Sequence, residues 1–174
     1  LTQPKYAKQG GTHRRTESAI LEGTKSLIAK SGLSNISMIE IADVSQVSRA
    51  TLYNHYRDKG AVITALISAE VELMIEIANK AGTPADALEK LSLYISGDSA
   101  LASMRINDPA ALTLMLSQSE NPLYLAIAQC LFTATKSAAG TGIAMRWLMG
   151  QVMQPLTPDQ SREQAELLVD RTLF

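Results

Sequence analysis

Between Arg49 and Lys59 the chain gathers most of the side chains that can engage a polyanion. A helix over this stretch presents Arg49, Ala50, Thr51, Tyr53, Asn54 and His55 on its exposed side. These are hydrogen-bond donors and small residues of the kind that reach phosphate oxygens and base edges. Lys59 falls at the start of the following helix, where an ammonium and a helix N-terminus together favour a phosphate. Nothing comparable points to bond-making chemistry. There is no Ser-His-Asp set, no paired carboxylate arrangement and no phosphate-cradling loop. Gly140-Thr141-Gly142 is short, follows no strand and reads as a helix break. His13 and His55 stand far apart without a ligand-like partner in helical register, so no metal is expected. Glu70, Glu72, Glu76, Asp86 and Glu89 read as a solvated helical face. The expectation is a protein that is not an enzyme and carries no cofactor.

The elements that must position these donors announce their ends. Thr16 caps a helix with Ile20, Leu21, Thr24, Leu27 and Ile28 on one face, stopping at Gly32. Ser37 with Glu40 forms a capping box that opens a short helix to Ala42 or Val44. Ser48 caps the next, Arg49 to about Tyr56. Ser45-Gln46-Val47 separates the two, and Ile41, Ala42, Val47 and Leu52 are spaced to pack together. Ala42 is small where the helices cross, and Val47 plugs the turn. This is helix-turn-helix arithmetic, with the second helix directed at a major groove. A longer helix spans about 60–79. Thr83-Pro84, Asp108-Pro109, Asn121-Pro122 and Thr157-Pro158 then repeat one start device, a capping side chain before a proline at the first helical position. Asp86 and Gln160 sit where they reach back to their caps. A further helix runs from about Gly140 or Thr141 to Gln154. The chain reads as all-α, with about nine or ten helices.

Composition agrees. The 174 residues are 46% hydrophobic and 19% charged, with few Gly and Pro, as expected of a helical globular protein. No apolar run approaches the roughly 18 residues of a membrane span, and the polar, basic Leu1–Arg15 stretch does not read as a signal peptide. Cys130, the lone cysteine, suits a reducing cytoplasm and reads as a buried core thiol. Charge is uneven. Residues 1–60 carry nine Lys/Arg against five acids, or +4, while the remainder carries seven against twelve, or −5. That split suggests a polyanion-binding module on a mildly acidic body.

The segment Val47-Ser48-Arg49-Ala50-Thr51-Leu52-Tyr53-Asn54-His55-Tyr56, with Asp58-Lys59 after it and Ile20-Leu21, Leu27-Ile28-Ala29-Lys30-Ser31-Gly32-Leu33 and Ile41-Ala42 before it, resembles the N-terminal domain of the TetR family of bacterial transcriptional regulators. The likeness covers about Arg15 to Glu70. It implies a flexible basic arm at 1–14, a helix-turn-helix domain at 15–59, and a helical ligand-binding and dimerisation domain at 60–174. Helix 60–79 would link the two domains. It implies DNA contacts from Ser37, Ser48, Arg49, Ala50, Thr51, Tyr53, Asn54, His55 and Lys59. Of these, Ser37, Tyr53, His55 and Lys59 would meet phosphates, and Arg49, Ala50, Thr51 and Asn54 the groove. Leu52 and Tyr56 would be core. This chain has Gln46 where the family usually has Gly, and Ile36 where a Thr is common.

The two last helices resemble the family's dimerisation pair, with Ile143, Trp147, Leu148, Val152, Leu168, Val169 and Thr172 expected at the interface of a homodimer. An apolar pocket is expected between, lined by Met74, Ile77, Tyr94, Leu101, Met104, Leu112, Met115, Leu116, Tyr124 and Phe132, with Arg105 either an anchor for an anion or a surface salt bridge. The function so implied is a cytoplasmic repressor that binds a near-palindromic double-stranded DNA operator as a dimer and is released by a small, largely apolar effector acting through helix 60–79. The alternative is a helical ligand-binding protein with a degenerate DNA-binding module.

Overall fold

The computed structural model describes residues 5–117 and 122–170. Among them are ten helices and no strand: α1 (Lys5–Ser31), α2 (Met38–Val44), α3 (Arg49–His55), α4 (Lys59–Asn79), α5 (Pro84–Ser96), α6 (Ser99–Asn107), α7 (Pro109–Ser117), α8 (Pro122–Thr135), α9 (Ala138–Met153) and α10 (Pro158–Val169). No helix among the described residues is long and apolar enough to cross a membrane.

The caps explain most boundaries. Ser37 and Glu40 form the reciprocal box at α2, and Thr157 and Gln160 form another at α10. Ser48 caps α3, Asp58 caps α4 and Thr83 caps α5. Each spares a helix start the cost of unbonded amides, typically about 1 kcal/mol. Asp86 reaches back one residue further than expected, accepting from the Gly82 amide at 2.8 Å. Asn121 lies outside the described residues.

Three expectations change. α1 does not begin at Thr16. It runs back to Lys5, so residues 5–14, expected as a flexible arm, are its first turns. Asp108 does not cap α7. Its carboxylate turns instead to the end of α1, accepting from the Leu33 amide at 2.6 Å and the Ser34 amide at 3.0 Å. The cost of burying it is outweighed by hydrogen bonds from Ser34 and Leu33 and by the nearby Lys59 charge, which hold its pKa below the usual carboxylate value. Gly32 makes this approach possible. Its φ is +80°, and a Cβ there would sit 2.5 Å from the Asp108 carboxylate. Cys130 is half-buried rather than buried, and burial pushes its thiol pKa up.

Two cores form. The first joins Ile20, Ile28, Ile36, Ile41, Leu52 and Val62 to Ala100, Met104 and Leu112 of α6 and α7. It therefore does not stop at the boundary expected near residue 60. The second joins Leu88, Leu91 and Ile95 of α5 to Leu131, Ala144, Met145, Leu148 and Ala165. Leu101 and Val152 pack against both. The second core also encloses a polar network. Ser92 Oγ donates to Gln151 Oε1 at 2.6 Å and lies 2.7 Å from Ser161 Oγ, all three residues being buried. It ties α5, α9 and α10 together.

Candidate nucleic-acid interface and an apolar cavity

α2, the turn and α3 form a compact hairpin of helices. The Val47 amide donates to Ala42 O at 3.1 Å and the Gln46 amide to Asp43 O at 3.2 Å. Gln46 adopts φ +55°, the left-handed conformation in which glycine is cheapest. Leu52 is fully buried. Tyr56 is buried too, and its hydroxyl donates to Glu17 on α1 at 3.2 Å. Burial and the Glu17 charge raise the Tyr56 pKa to about 12, so the phenol stays neutral. With this side of α3 anchored, Arg49, Ala50, Tyr53 and Asn54 face solvent, Tyr53 with 54% exposure. Thr51 is half-buried, and its hydroxyl is 2.7 Å from that of Ser48, which in turn accepts from the Thr51 amide.

Sequence reasoning missed one packing requirement. Gly23 lies mid-helix in α1, where glycine costs about 1 kcal/mol against alanine. A Cβ there would sit 2.3 Å from Ser45 Oγ, so the close crossing of α1 over the end of α2 demands it. The isolated glycine in a helical pattern was the available signal. Ser45 Oγ is itself buried without a hydrogen-bond partner.

His55 and His13 do not stay apart. Their ring centroids are 4.2 Å apart and the rings tilted by 38°. Nothing in helical register could foretell this, because the contact joins α1 to α3. Among the described residues, no set of three or more His, Cys, Asp or Glu could hold a metal. Lys59 opens α4 as expected, but its ammonium donates to Leu33 O at 3.2 Å and Ile36 O at 3.0 Å, clamping the α1–α2 loop and leaving one N–H. Ser37 is exposed, with its hydroxyl 2.7 Å from Glu40 Oε2.

The second feature is a cavity of about 280 Å³ between α1, α4 and the helices beyond. Its walls are almost entirely apolar. At one place four polar side chains meet, drawn from α1, α4, α5 and the α5–α6 junction. Lys25 Nζ donates to Glu70 Oε2 at 2.6 Å, pairs with Asp98 Oδ2 at 2.7 Å and donates to Tyr94 Oη at 3.3 Å. Tyr94 donates to Glu70 Oε2 at 2.5 Å. Burial opposes the Lys25 charge, yet hydrogen bonds and charges of Asp98 and Glu70 prevail, raising its pKa above the ordinary lysine value. Tyr94 is pushed up to about 12 by burial and by its bond to Glu70. Glu70 thus departs from the solvated face assigned to it.

Residues 20–66 match the family model of bacterial regulatory proteins of the tetR family. Solved structures share the fold over nearly the whole chain. The dihydroxyacetone kinase operon activator DhaS is 13% identical, with 91% of this chain and 97% of that one covered at a TM-score of 0.64. The TetR family repressor AlkX from Dietzia sp. strain DQ12-45-1b, implicated in biodegradation of n-alkanes, is 18% identical, with 88% and 92% covered at 0.59. The regulator FadR from Bacillus subtilis, solved with stearoyl-CoA, is 18% identical, with 88% and 97% covered at 0.59. Residues 20–66 therefore carry the DNA-binding domain of the tetR family, and the chain as a whole shares the fold of these regulators. No curated protein matches it in sequence.

Within this fold, eight of the ten residues expected in a pocket line the cavity: Met74, Tyr94, Leu101, Met104, Leu112, Met115, Leu116 and Tyr124. Ile77 instead packs against the second core, and Phe132 is half exposed on α8. Arg105 is not among the residues lining the cavity; it donates to Val152 O at 2.9 Å. The expected dimer set is divided as well. Leu148 is buried in the chain's own core, and the half-buried Val152 lines the cavity. Leu168 and Val169 pack half-buried against the second core, and Trp147, also half-buried, donates to Gln164 Oε1 at 2.6 Å. Ile143 is exposed, and Thr172 lies outside the described residues. α9 turns Ala144, Met145 and Leu148 to the second core and Met149 and Val152 to the cavity.

Proposed function

We propose that this regulator is a cytoplasmic dimeric repressor that grips a near-palindromic operator and lets go when a small, largely apolar molecule fills its cavity. The cavity carries this reading. Its walls include Lys25, Ile28 and Leu33 of the DNA-reading unit as well as residues of α4 to α9, so an occupant presses on elements of both halves at once. Such a molecule weakens DNA binding only if it prefers the conformation with the wrong spacing between recognition helices. At the DNA, Arg49, Ala50, Thr51 and Asn54 face base edges, while Ser37, Ser48, Tyr53, His55 and the remaining Lys59 N–H meet phosphates. For the dimer, α9 offers an exposed stripe of Ala139, Ile143, Arg146, Gly150 and Met153, beside Leu167 on α10, which suits a helix-to-helix interface across a two-fold axis.

Fluorescence anisotropy of the full chain against DNA flanking its own gene, with a scrambled duplex as control, tests the proposal. The expected result is preferential binding that weakens steeply with salt and falls at least tenfold in Tyr53→Ala, together with a dimer in sedimentation. Equal weak binding to both duplexes, or a bound cavity ligand that leaves affinity unchanged, overturns it.

A further inference from the structure

We propose that the cavity selects a cationic amphiphile, an amine or amidine head on a compact apolar body, whose head takes over Glu70 and Asp98 from Lys25. This rests on the reading of the cavity as the effector site and names what that site takes. The volume, about 280 Å³, lies just below the usual range of ligand sites, roughly 300–1,000 Å³, and so suits a small molecule.

The argument is one of unspent hydrogen-bonding capacity. An ammonium has three N–H donors, and those of Lys25 are directed to Glu70, Asp98 and the Tyr94 oxygen. None remains for a carboxylate or phosphate brought by a ligand. The Tyr94 proton is likewise committed to Glu70. What remains at the polar end is acceptor capacity. Each carboxylate has about four lone-pair sites. Glu70 Oε2 receives Lys25 and Tyr94, while Asp98 receives Lys25 and the Leu101 amide. Two carboxylates, Asp98 nearly buried and Glu70 about a quarter exposed, against one ammonium leave a net charge of −1 at the end of an otherwise apolar chamber. An anionic head meets repulsion and no free donor. A cationic head meets both missing terms. Lys25 Nζ already lies 5.3 Å from the centroid of the Tyr94 ring, a position in which a ring face favours a cation. Met74, Met104 and Met115 provide adaptable thioether walls for the body of the ligand.

Displacement has a mechanical result. Lys25 belongs to α1 of the DNA-reading unit, whereas Glu70 lies on α4 and Asp98 caps α6. A ligand cation that satisfies both carboxylates frees Lys25 and cuts the ion pairs that hold α1 against α4 and α6. Ligand identity and release from DNA are thus joined in one exchange of partners.

The test uses three probes with the same eight-carbon tail: octylamine, octanol and octanoate, titrated calorimetrically into the full chain near neutral pH, with operator anisotropy in parallel. The amine is expected to bind at least tenfold more tightly than the alcohol, and the alcohol more tightly than the acid. Glu70→Gln and Asp98→Asn should each erase most of the amine's advantage while leaving the alcohol unchanged. Lys25→Met, which removes the competing ammonium, should bind the amine more tightly than the wild type and show a larger rise in melting temperature on adding it. If a variant fails to fold, the wild-type ranking decides alone. Octanoate equal to or better than octylamine, or no difference between amine and alcohol, overturns the proposal and leaves the cavity as an effector site. No binding by any probe overturns both. Amine binding that spares DNA affinity supports the ligand class and overturns the release mechanism.

Discussion

The two halves of the molecule are packed on different rules. Around α3 the first core is filled: Ile20, Ile41, Leu52 and Val62 have no exposed surface, and the recognition helix is fixed from beneath by Leu52 and Tyr56. Around α5 and α9 the second core encloses a buried Ser92–Gln151–Ser161 network, and a cavity of about 280 Å³ opens between it and the far side of the first core, at Ile28, Leu66, Met104 and Leu112. A surface that must match a fixed groove gains from a rigid support. A body that must respond to a ligand keeps space and directional bonds, which have few alternative arrangements. The difference teaches where the proposed functions would reside: reading over the filled core, response at the cavity beside it.

The comparison can be broken most forcefully at Leu52. Leu52→Ala is expected to cost about 2–5 kcal/mol, as in other fully buried leucines, measured by urea denaturation, with loss of DNA binding before any loss of cavity binding. Asp108→Asn comes next. It exchanges a carboxylate that serves two amides for a group with a single acceptor, at about 2–3 kcal/mol. Because the folded-state pKa of Asp108 is lowered, its contribution is complete above the ordinary carboxylate value of about 4 and is lost as pH falls through the depressed value. The gap between wild type and variant should therefore close in acid. Ser92→Ala leaves Gln151 and Ser161 short of a partner and is expected to cost about 1–2 kcal/mol, lowering the melting temperature without changing DNA affinity. Gln46→Gly is the smallest. Relief of about 1 kcal/mol of left-handed strain is opposed by about 0.4–1 kcal/mol of added freedom in the unfolded chain. A change in unfolding free energy within about 0.5 kcal/mol is expected.

The sequence made the filled half far more legible than the hollow one. Ser37 with Glu40, Ser48, and the spacing of Ile41, Ala42, Val47 and Leu52 are local signals, each within a few residues of the element it shapes. The later helices were legible where Thr83-Pro84 and Thr157-Pro158 mark them. α6 was not delimited, since Asp98 alone opens it without a following proline, and the extent of α1 was not legible, because Thr16 offers a cap inside a helix that already runs through Gly10-Gly11. The polar end of the cavity was invisible for a different reason. Lys25, Glu70, Tyr94 and Asp98 span 74 residues of chain, and only the crossing of α1, α4 and α5 brings them together. Asp108 was misassigned because a local partner, the α7 amides, was in view and the Leu33 and Ser34 amides were not. Local chemistry is written in neighbours, and long-range pairing is decided by packing.

The first core draws Ala100, Met104 and Leu112 into the support of α1 to α3. During synthesis the recognition helix is therefore made well before its foundation is complete. A chain leaving the ribosome can coil α1, α2 and α3 as soon as they emerge, but their apolar undersides stay uncovered until α6 and α7 follow, more than forty residues after α3. Folding of the DNA-reading unit must wait for these distant contacts and carries their loop-closure cost. A fragment cut after residue 59 would display the right side chains on a helix that has lost part of its floor.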